Sequence, residues 1–246
     1  RLPSQFERQA DVRMIDPASG ALLQQRHIAN PDIRPQRIDV VEAGHFAVFG
    51  GGLGSVDVRL FRERITDLIW RITVAPPPGS LQERFGIGSA QWDNLAGRVE
   101  LSGVEYQLRY RPWRGGSLIL NHSLIRAHAA HRPLAKTVAP YTASLSWLQR
   151  FGRWQSMLSV LRQGPLDAGS SDVQGYQYVV PAYTTLDLSV ARELSIGRSP
   201  AELRLTGINL LGRHQELAHR PLQQRAGSRP ANRVEPQLYV SLHATF

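Results

Sequence analysis

Eight histidines carry the widest chemical range in this chain: His27, His45, His122, His128, His131, His214, His219 and His243. His128-x-x-His131 falls in one long polar stretch, and His214 with His219 in another. Metal binding at either pair would need a third and fourth ligand in fixed geometry, and the alternative is a set of solvated loop histidines. Ser123 directly follows His122 on a strand-like segment, so the two side chains point to opposite faces and cannot work as nucleophile and base. The sequence has no Gly-x-Ser-x-Gly elbow and no phosphate-cradling glycine loop. It also has no cysteine, hence no disulfide framework and no thiolate metal site. These residues point to no catalytic group, no metal and no cofactor, so the expectation is a protein that is not an enzyme.

The other chemically distinctive feature is arginine. The net charge of +9 is an arginine charge, because Lys136 is the single lysine among 246 residues. Such a balance invites a nucleic-acid reading. The arginines, however, lie mostly in turns and loops, with no basic helix and no nucleic-acid-binding motif, so no nucleic acid is expected as a partner. Arg213, Arg220, Arg225, Arg229 and Arg233 crowd the stretch Leu211 to Glu235, which has few acids. Three readings are open there: charge focusing on an anionic ligand, pairing with lipopolysaccharide phosphates, which guanidinium geometry suits, or a solvated loop. A second candidate ligand-facing group is Arg84, Phe85 and Trp92, in the connection Val74 to Ala96.

The elements that position these residues read as strands. Leu238, Val240, Leu242, Ala244 and Phe246 share one face of the last segment, with Tyr239, Ser241, His243 and Thr245 on the other. A period of two marks a strand with one apolar side. Nine such segments occur, at 37–49, 54–73, 97–112, 116–126, 141–150, 153–162, 182–193, 201–210 and 236–246. Leu60 to Ile72 has mixed periodicity and is compatible with strand or helix. In 97–112 the apolar parity slips at Gly103, where a β-bulge would restore the face. No apolar run of roughly 18 residues exists, which excludes a transmembrane helix and leaves a transmembrane barrel open.

The connections alternate in length. Gly50–Leu53, Pro112–Gly115, Phe151–Gly152 and Ser195–Pro200 are short; those starting at Val74, Ala127, Gln163 and Leu211 are long. Consecutive turns of an up-and-down barrel lie on opposite rims, so alternation sorts the short turns to one end and the long loops to the other. Outer-membrane barrels have that asymmetry, with short periplasmic turns and long extracellular loops. Trp113 and Trp154 near short turns, and Tyr141, Tyr178 and Tyr183 near long loops, fit two interfacial aromatic belts. The expected fold is all-β, antiparallel throughout, with Leu186, Leu188, Val190, Leu238, Val240 and Leu242 facing lipid. Glu105, Arg109, Asp187 and Arg204 are expected in the lumen, paired with one another or with a plug domain.

Several motifs, in order, resemble the C-terminal barrel of TonB-dependent outer-membrane receptors. These are Arg1-x-Pro3-Ser4 with Glu7, Asn30-Pro31-x-Ile33-x-Pro35-Gln36 (where the family has an acid in place of Gln36), Glu42-x-Gly44, Gly103-x-Glu105 and Ala139-Pro140. Tyr183, Leu186 and Asp187 then precede Asn209-Leu210, and Phe246 ends the last strand. The resemblance implies that residues 1–246 are the C-terminal portion of a barrel of roughly 22 strands, with the plug domain, coupling box and earlier strands outside this chain. It further implies a Gram-negative outer-membrane receptor that takes up a scarce nutrient, a ferric siderophore-type chelate by default, powered by an inner-membrane energy-coupling protein. Competing readings are a passive or structural outer-membrane barrel and a soluble all-β binding module. The candidate loop contacts for a small-molecule ligand are Arg84, Phe85, Trp92, His128, His131, Arg213, Arg220 and Arg225. Implied partners are outer-membrane lipid, lipopolysaccharide and the barrel-assembly machinery.

Phe246 carries the assembly expectation. A terminal strand can pair with an edge strand of the assembly machinery, and an aromatic ring adds an apolar anchor. Deleting Phe246, or adding a polar tail after it, should lower the amount assembled in the outer membrane while leaving detergent refolding of the purified protein nearly unaffected. Unchanged assembly in cells would leave Phe246 a packing residue only.

Overall fold

A computed structural model describes residues 1–130, 135, 137–167, 179–197, 199–216 and 233–245. Nine long strands form one antiparallel sheet. They are β3 (Arg37–Phe49), β4 (Gly54–Thr66), β7 (Arg98–Tyr110), β8 (Gly116–Ala129), β9 (Tyr141–Phe151), β10 (Trp154–Gln163), β13 (Tyr183–Ile196), β14 (Ser199–Ile208) and β17 (Gln237–Ala244). Their spatial order is their chain order, from β3 at one edge to β17 at the other. All eight strand pairs keep a continuous register. Eight of the nine segments read from the sequence each match one of these strands, and segment 54–73 contains β4.

The sheet has two chemically distinct faces, as two adjacent rows of cross-strand partners show. Val56, Leu108, Leu120, Leu145, Val160 and Leu186 oppose one another across six strands, whereas the next row holds Asp57, Gln107, Asn121, Ser144, Leu161 and Thr185. On the apolar face nothing among the described residues covers the side chains of the last strand: Leu238, Val240 and Leu242 are 69%, 70% and 60% exposed. An apolar surface this extensive is a surface for something other than water. The polar face is laced with hydrogen bonds, including Gln107 Nε2 to Asn121 Oδ1 at 2.6 Å and Asn121 Nδ2 to the Ser144 hydroxyl at 3.1 Å.

The registers bring the connections 50–53, 111–115 and 152–153 to one rim, and the turn after Ile196 joins them. The first relies on Gly50, Gly51 and Gly52, whose φ values of 58°, 61° and 96° only glycine adopts without strain. Gly103 is not a bulge. Register runs unbroken through it to Phe61 and Ile125, and a Cβ there would sit 2.8 Å from the Phe61 ring. The parity slip is therefore a real change of face content: Phe61 and Leu101 are apolar residues on the polar side.

Segment 54–73 is not one strand. Asp67 adopts a left-handed conformation (φ 50°), which a short polar side chain tolerates, and the chain turns into β5 (Ile69–Val74). The expected loop Val74 to Ala96 is also structured, with a helical turn α2 (Leu81–Arg84) and strand β6 (Ser89–Asn94). β5 and β6 join β1 (Val12–Ile15) and β2 (Leu22–Ile28) in a four-stranded sheet ordered β1-β2-β6-β5. Within it β2 and β6 run parallel, His27 opposite Ala90, so antiparallel pairing throughout holds for the nine-stranded sheet but not for the chain. Its connections enter at Arg37 and leave Thr66 and return at Arg98, three residues side by side in the large sheet. The small sheet thus stands on the long-connection rim. Two-residue ladders pair β11 (Leu166–Asp167) with β12 (Val179–Val180), and β15 (His214–Gln215) with β16 (Arg233–Val234).

Helix α1 (Gln5–Gln9) opens with a capping box: the Ser4 hydroxyl accepts from the Glu7 N–H, and Glu7 accepts from the Ser4 N–H at 2.7 Å. Arg1 grips the same carboxylate with two guanidinium hydrogen bonds, at 2.7 and 3.0 Å. The motif Arg1-x-Pro3-Ser4 with Glu7 is thereby a self-contained clasp, 7% exposed at Glu7.

Two outcomes follow. Leu188 lies mid-strand on the apolar face, opposite Leu158. Leu188→Arg should cost about 2–4 kcal/mol near a bilayer midplane, and a change indistinguishable from zero in bilayer unfolding would contradict the assigned face. The Arg1 hydrogen bond above all holds the Glu7 carboxyl at about 2, below its ordinary 4.5. The unfolded chain therefore binds the extra proton first. The clasp is at full strength above about pH 4.5 and weakens as pH falls toward 2. Hydrogen exchange of residues 1–10 should rise through that window, and Glu7→Gln should remove the pH step; an identical profile in the variant would rule the clasp out.

Candidate functional site

The polar face concentrates its charge at Arg59, in the middle of β4. Its guanidinium meets Glu42 at 2.8 Å and Glu105 at 3.2 Å, with Glu63 at 3.9 Å. It also lies 5.0 Å over the Phe61 ring. The room for that ring is what Gly103 provides. Two family motifs, Glu42-x-Gly44 on β3 and Gly103-x-Glu105 on β7, therefore converge on one arginine between them, with Gly44 directly opposite Arg59. Sequence reading did not single out Arg59. Its signal was an arginine at a polar-face position of the strand between two motif glutamates.

A second group sits toward the other edge. The Asn209 N–H donates to Asp187 at 2.8 Å, and Asn209 Nδ2 donates to the Val234 carbonyl at 3.0 Å. Asn209 is buried and left-handed (φ 55°), which ends β14. Two motifs 22 residues apart thus meet as a strand terminator. Arg204 pairs with Glu202 at 2.9 Å and donates to Ser189 at 3.1 Å. Of the four residues expected in the lumen, Glu105, Asp187 and Arg204 are held in these networks, and Arg109 shares their face.

At the long-connection rim, the small sheet is tied down by polar side chains. Asn94 accepts from the Arg34 N–H at 2.7 Å and donates to the Arg34 and Asp67 carbonyls at 3.0 and 2.8 Å. Arg34 pairs with Asp67 at 2.6 Å. Asn30 Nδ2 donates to the Trp92 carbonyl at 3.0 Å. This is the structural role of the Asn30 to Gln36 motif: it fastens one connection to the next. Gln82 and Ser89 form a buried peg, with the Gln25 N–H donating to Gln82 at 2.7 Å and Gln82 Nε2 donating to Ser89 at 2.7 Å. Burial, with Arg71 nearby, pushes the His27 pKa down.

The sequence candidates distribute unevenly. Arg84 and Phe85 end α2, and Phe85 is 69% exposed. Trp92 lies on strand β6, not in a loop, half-buried with its indole N–H unpartnered. His128 likewise belongs to β8 and points to the apolar side of the large sheet, opposite Glu100. Arg213 pairs with Glu235 at 2.7 Å, beside His214, which stacks on Tyr183 at 4.3 Å and contacts Glu216 at 2.9 Å. Arg162, Tyr183, Arg213 and His214 line one cleft of 390 Å³. His131, His219, Arg220, Arg225, Arg229, Tyr178 and Phe246 lie outside the described residues. Among the described residues no three His, Asp or Glu side chains are placed to hold a metal.

Solved structures of similar fold include a copper transporter and two ferric-chelate receptors. The copper transporter OprC superposes with a TM-score of 0.63 at 14% identity, over 98% of this chain and 35% of that one. The ferric-catecholate import receptor Fiu from E. coli K12 gives 0.61 at 13%, over 87% of this chain and 28% of its own. The ferric yersiniabactin uptake receptor FyuA from Yersinia pestis gives 0.55 at 19%, over 86% and 30%. At these identities the likeness is one of fold, and the chain spans about a third of each structure's length. No curated protein sequence matches it. The family described as "TonB dependent receptor-like, beta-barrel" matches residues 1–210, and to that family of TonB-dependent receptor barrels this chain belongs.

Proposed function

We propose that this chain is the C-terminal wall of a Gram-negative outer-membrane receptor that takes up a scarce nutrient by energy-coupled transport. The observation that carries the reading is the two-faced sheet: an uncovered apolar side suited to lipid, and an ion-paired polar side suited to a water-filled or plugged lumen. Membership in the TonB-dependent family supports coupling to an inner-membrane energy source through a plug and coupling box encoded outside these residues. The long-connection rim faces the outside of the cell, and it holds Arg84, Phe85, Trp92 and Arg213 where an arriving small molecule would meet them. A ferric chelate is the favoured ligand class, supported by two of the three structural relatives above being ferric-chelate receptors; the third transports copper.

The test is uptake in cells lacking the gene and complemented with the full-length receptor. Radiolabelled iron presented as catecholate or hydroxamate chelates should enter only in the complemented cells, and entry should stop when the inner membrane is de-energised. Arg213→Gln combined with Arg84→Gln should weaken binding several-fold if these residues meet the ligand. Uptake that persists without energy would make the protein a passive channel. A protein recovered from the aqueous phase without detergent would be a soluble binding module.

A further inference from the structure

One row of the apolar face is interrupted by hydrogen-bonding groups. His45, Val58, Tyr106, His122 and Ala143 are cross-strand partners from β3 to β9. The outward rows on either side hold Val56, Leu108 and Leu120, and Leu60, Val104 and Leu124. Along β8, Leu118 and Leu120 share the face of His122 on its short-turn side and Leu124 on the other. The imidazole therefore stands inside the apolar band, not at its end. Its Nδ1 lies 3.0 Å from the Tyr106 hydroxyl, and the two rings meet edge to face with centroids 5.2 Å apart. Both residues are half-buried. His45, exposed in the same row, has no hydrogen-bond partner among the described residues.

The Tyr106–His122 pair cannot satisfy itself. A phenol and a neutral imidazole carry one polar hydrogen each, and their single contact uses one of the two. With the phenol donating to Nδ1, the Nε2–H is left over; with Nδ1–H donating, the phenol O–H is left over. His122 makes no other hydrogen bond among the described residues. In either tautomer one donor faces acyl chains, which accept nothing, and an unbonded polar group in hydrocarbon is costly. The complement is an acceptor held in the bilayer at the same depth. A second copy of the same receptor meets that depth automatically, because both copies cross the membrane in one orientation. It also brings the chemistry, since an imidazole donates at one nitrogen and accepts at the other. Two such rings facing one another about a two-fold axis, one donating at Nε2 and one accepting there, halve the number of unanswered donors. His45, two strands and about 10 Å from Tyr106, adds a further lone pair to the patch. Within membranes, hydrogen-bonding side chains join protein surfaces and small residues let them approach; Ala143, opposite His122, is such a residue.

We propose that the outward patch centred on Tyr106 and His122 is a contact surface for a second copy of the receptor, pairing two barrels side by side in the outer membrane. The surface is distinct from the ligand-facing rim, and it rests on the reading of the apolar face as the lipid face of a barrel. Paired there, the two copies keep separate lumens, and their long-connection rims stand next to one another outside the cell.

The test is cross-linking of the full-length receptor in intact outer membranes, in a background otherwise free of cysteine, followed by mass measurement in non-ionic detergent. Ala143→Cys should join two copies through a short bis-maleimide at least ten-fold more efficiently than Val240→Cys, on the same face but four strands away. Tyr106→Phe with His122→Leu, residue types ordinary on this face, should lower the Ala143→Cys cross-link ten-fold or more. His122→Gln, which keeps a donor and an acceptor, should retain most of it. His45→Leu breaks no hydrogen bond among the described residues, so it keeps the test valid if the double variant assembles poorly; it should still lower the cross-link several-fold. A cross-link that survives these substitutions, one no stronger than that at Val240→Cys, or one that joins Ala143→Cys to a different protein, overturns the proposal. Failure of the underlying membrane reading is separate and visible earlier: such a protein would not be recovered with outer membranes.

Discussion

A peptide group in hydrocarbon has no water to bond, so every strand in a membrane wall must find its partners in the next strand. That requirement organises the rest of this structure. Eight consecutive strand pairs run without a register break, and the irregular pairing lies elsewhere, in the rim sheet where β1 meets β2. The local exceptions serve the ladder. Gly103 lets an aromatic ring pack against the sheet without displacing the strand, and Asn209 closes β14 by giving its own N–H to Asp187. The edges of β3 and β17 lie at opposite ends of the nine-stranded sheet, where a closed wall would continue.

Charge is distributed with the same economy. On the polar face three arginines meet acids: Arg59 meets Glu42 and Glu105, Arg204 meets Glu202, and Arg150 meets Glu193 at 2.7 Å. On the outward face near the long connections they outnumber their acids. The excess positive charge of the chain is therefore partly a property of one surface. Short-turn aromatics such as Trp113, Phe151 and Trp154, 50%, 78% and 46% exposed, mark the opposite rim in a way suited to an interface between headgroups and tails.

Much of the wall was legible because alternation is a local property. Leu186, Leu188 and Val190 against Thr185, Asp187 and Ser189 define their two faces with no knowledge of neighbours, and so does the last strand. The rim sheet was not legible. Its strands are short and polar, and its central pairing joins His27 to Ala90, a contact between two connections that no local pattern announces. Segment 54–73 read as one strand because the break at Asp67 depends on a backbone conformation that aspartate only sometimes adopts. The slip at Gly103 was visible, but its cause, a ring lying across the glycine from the neighbouring strand, is tertiary. The outward arginines left a trace in the spacing of Arg62 with Arg64 and Arg126 with His128. Residues two apart share a face, and each pair extends an apolar face toward a long connection. The candidates grouped as loop residues were therefore partly strand residues, and His128 looks away from the lumen for that reason.

The fastening of residues 1–36 to residues 67–97 has a consequence for how this rim can change. Asn94 holds the backbone of Arg34 and Asp67 together, and β2 hydrogen-bonds to β6. Two stretches that the chain could treat as separate appendages are therefore one object attached at three points, Arg37, Thr66 and Arg98. An insertion near Asn94 or Asn30 shifts both, and a contact felt at the exposed tip formed by Glu83 to Ile87 is transmitted to the tops of β3, β4 and β7 together. Freedom to diversify is left to the tip itself, where Phe85 already stands in solvent.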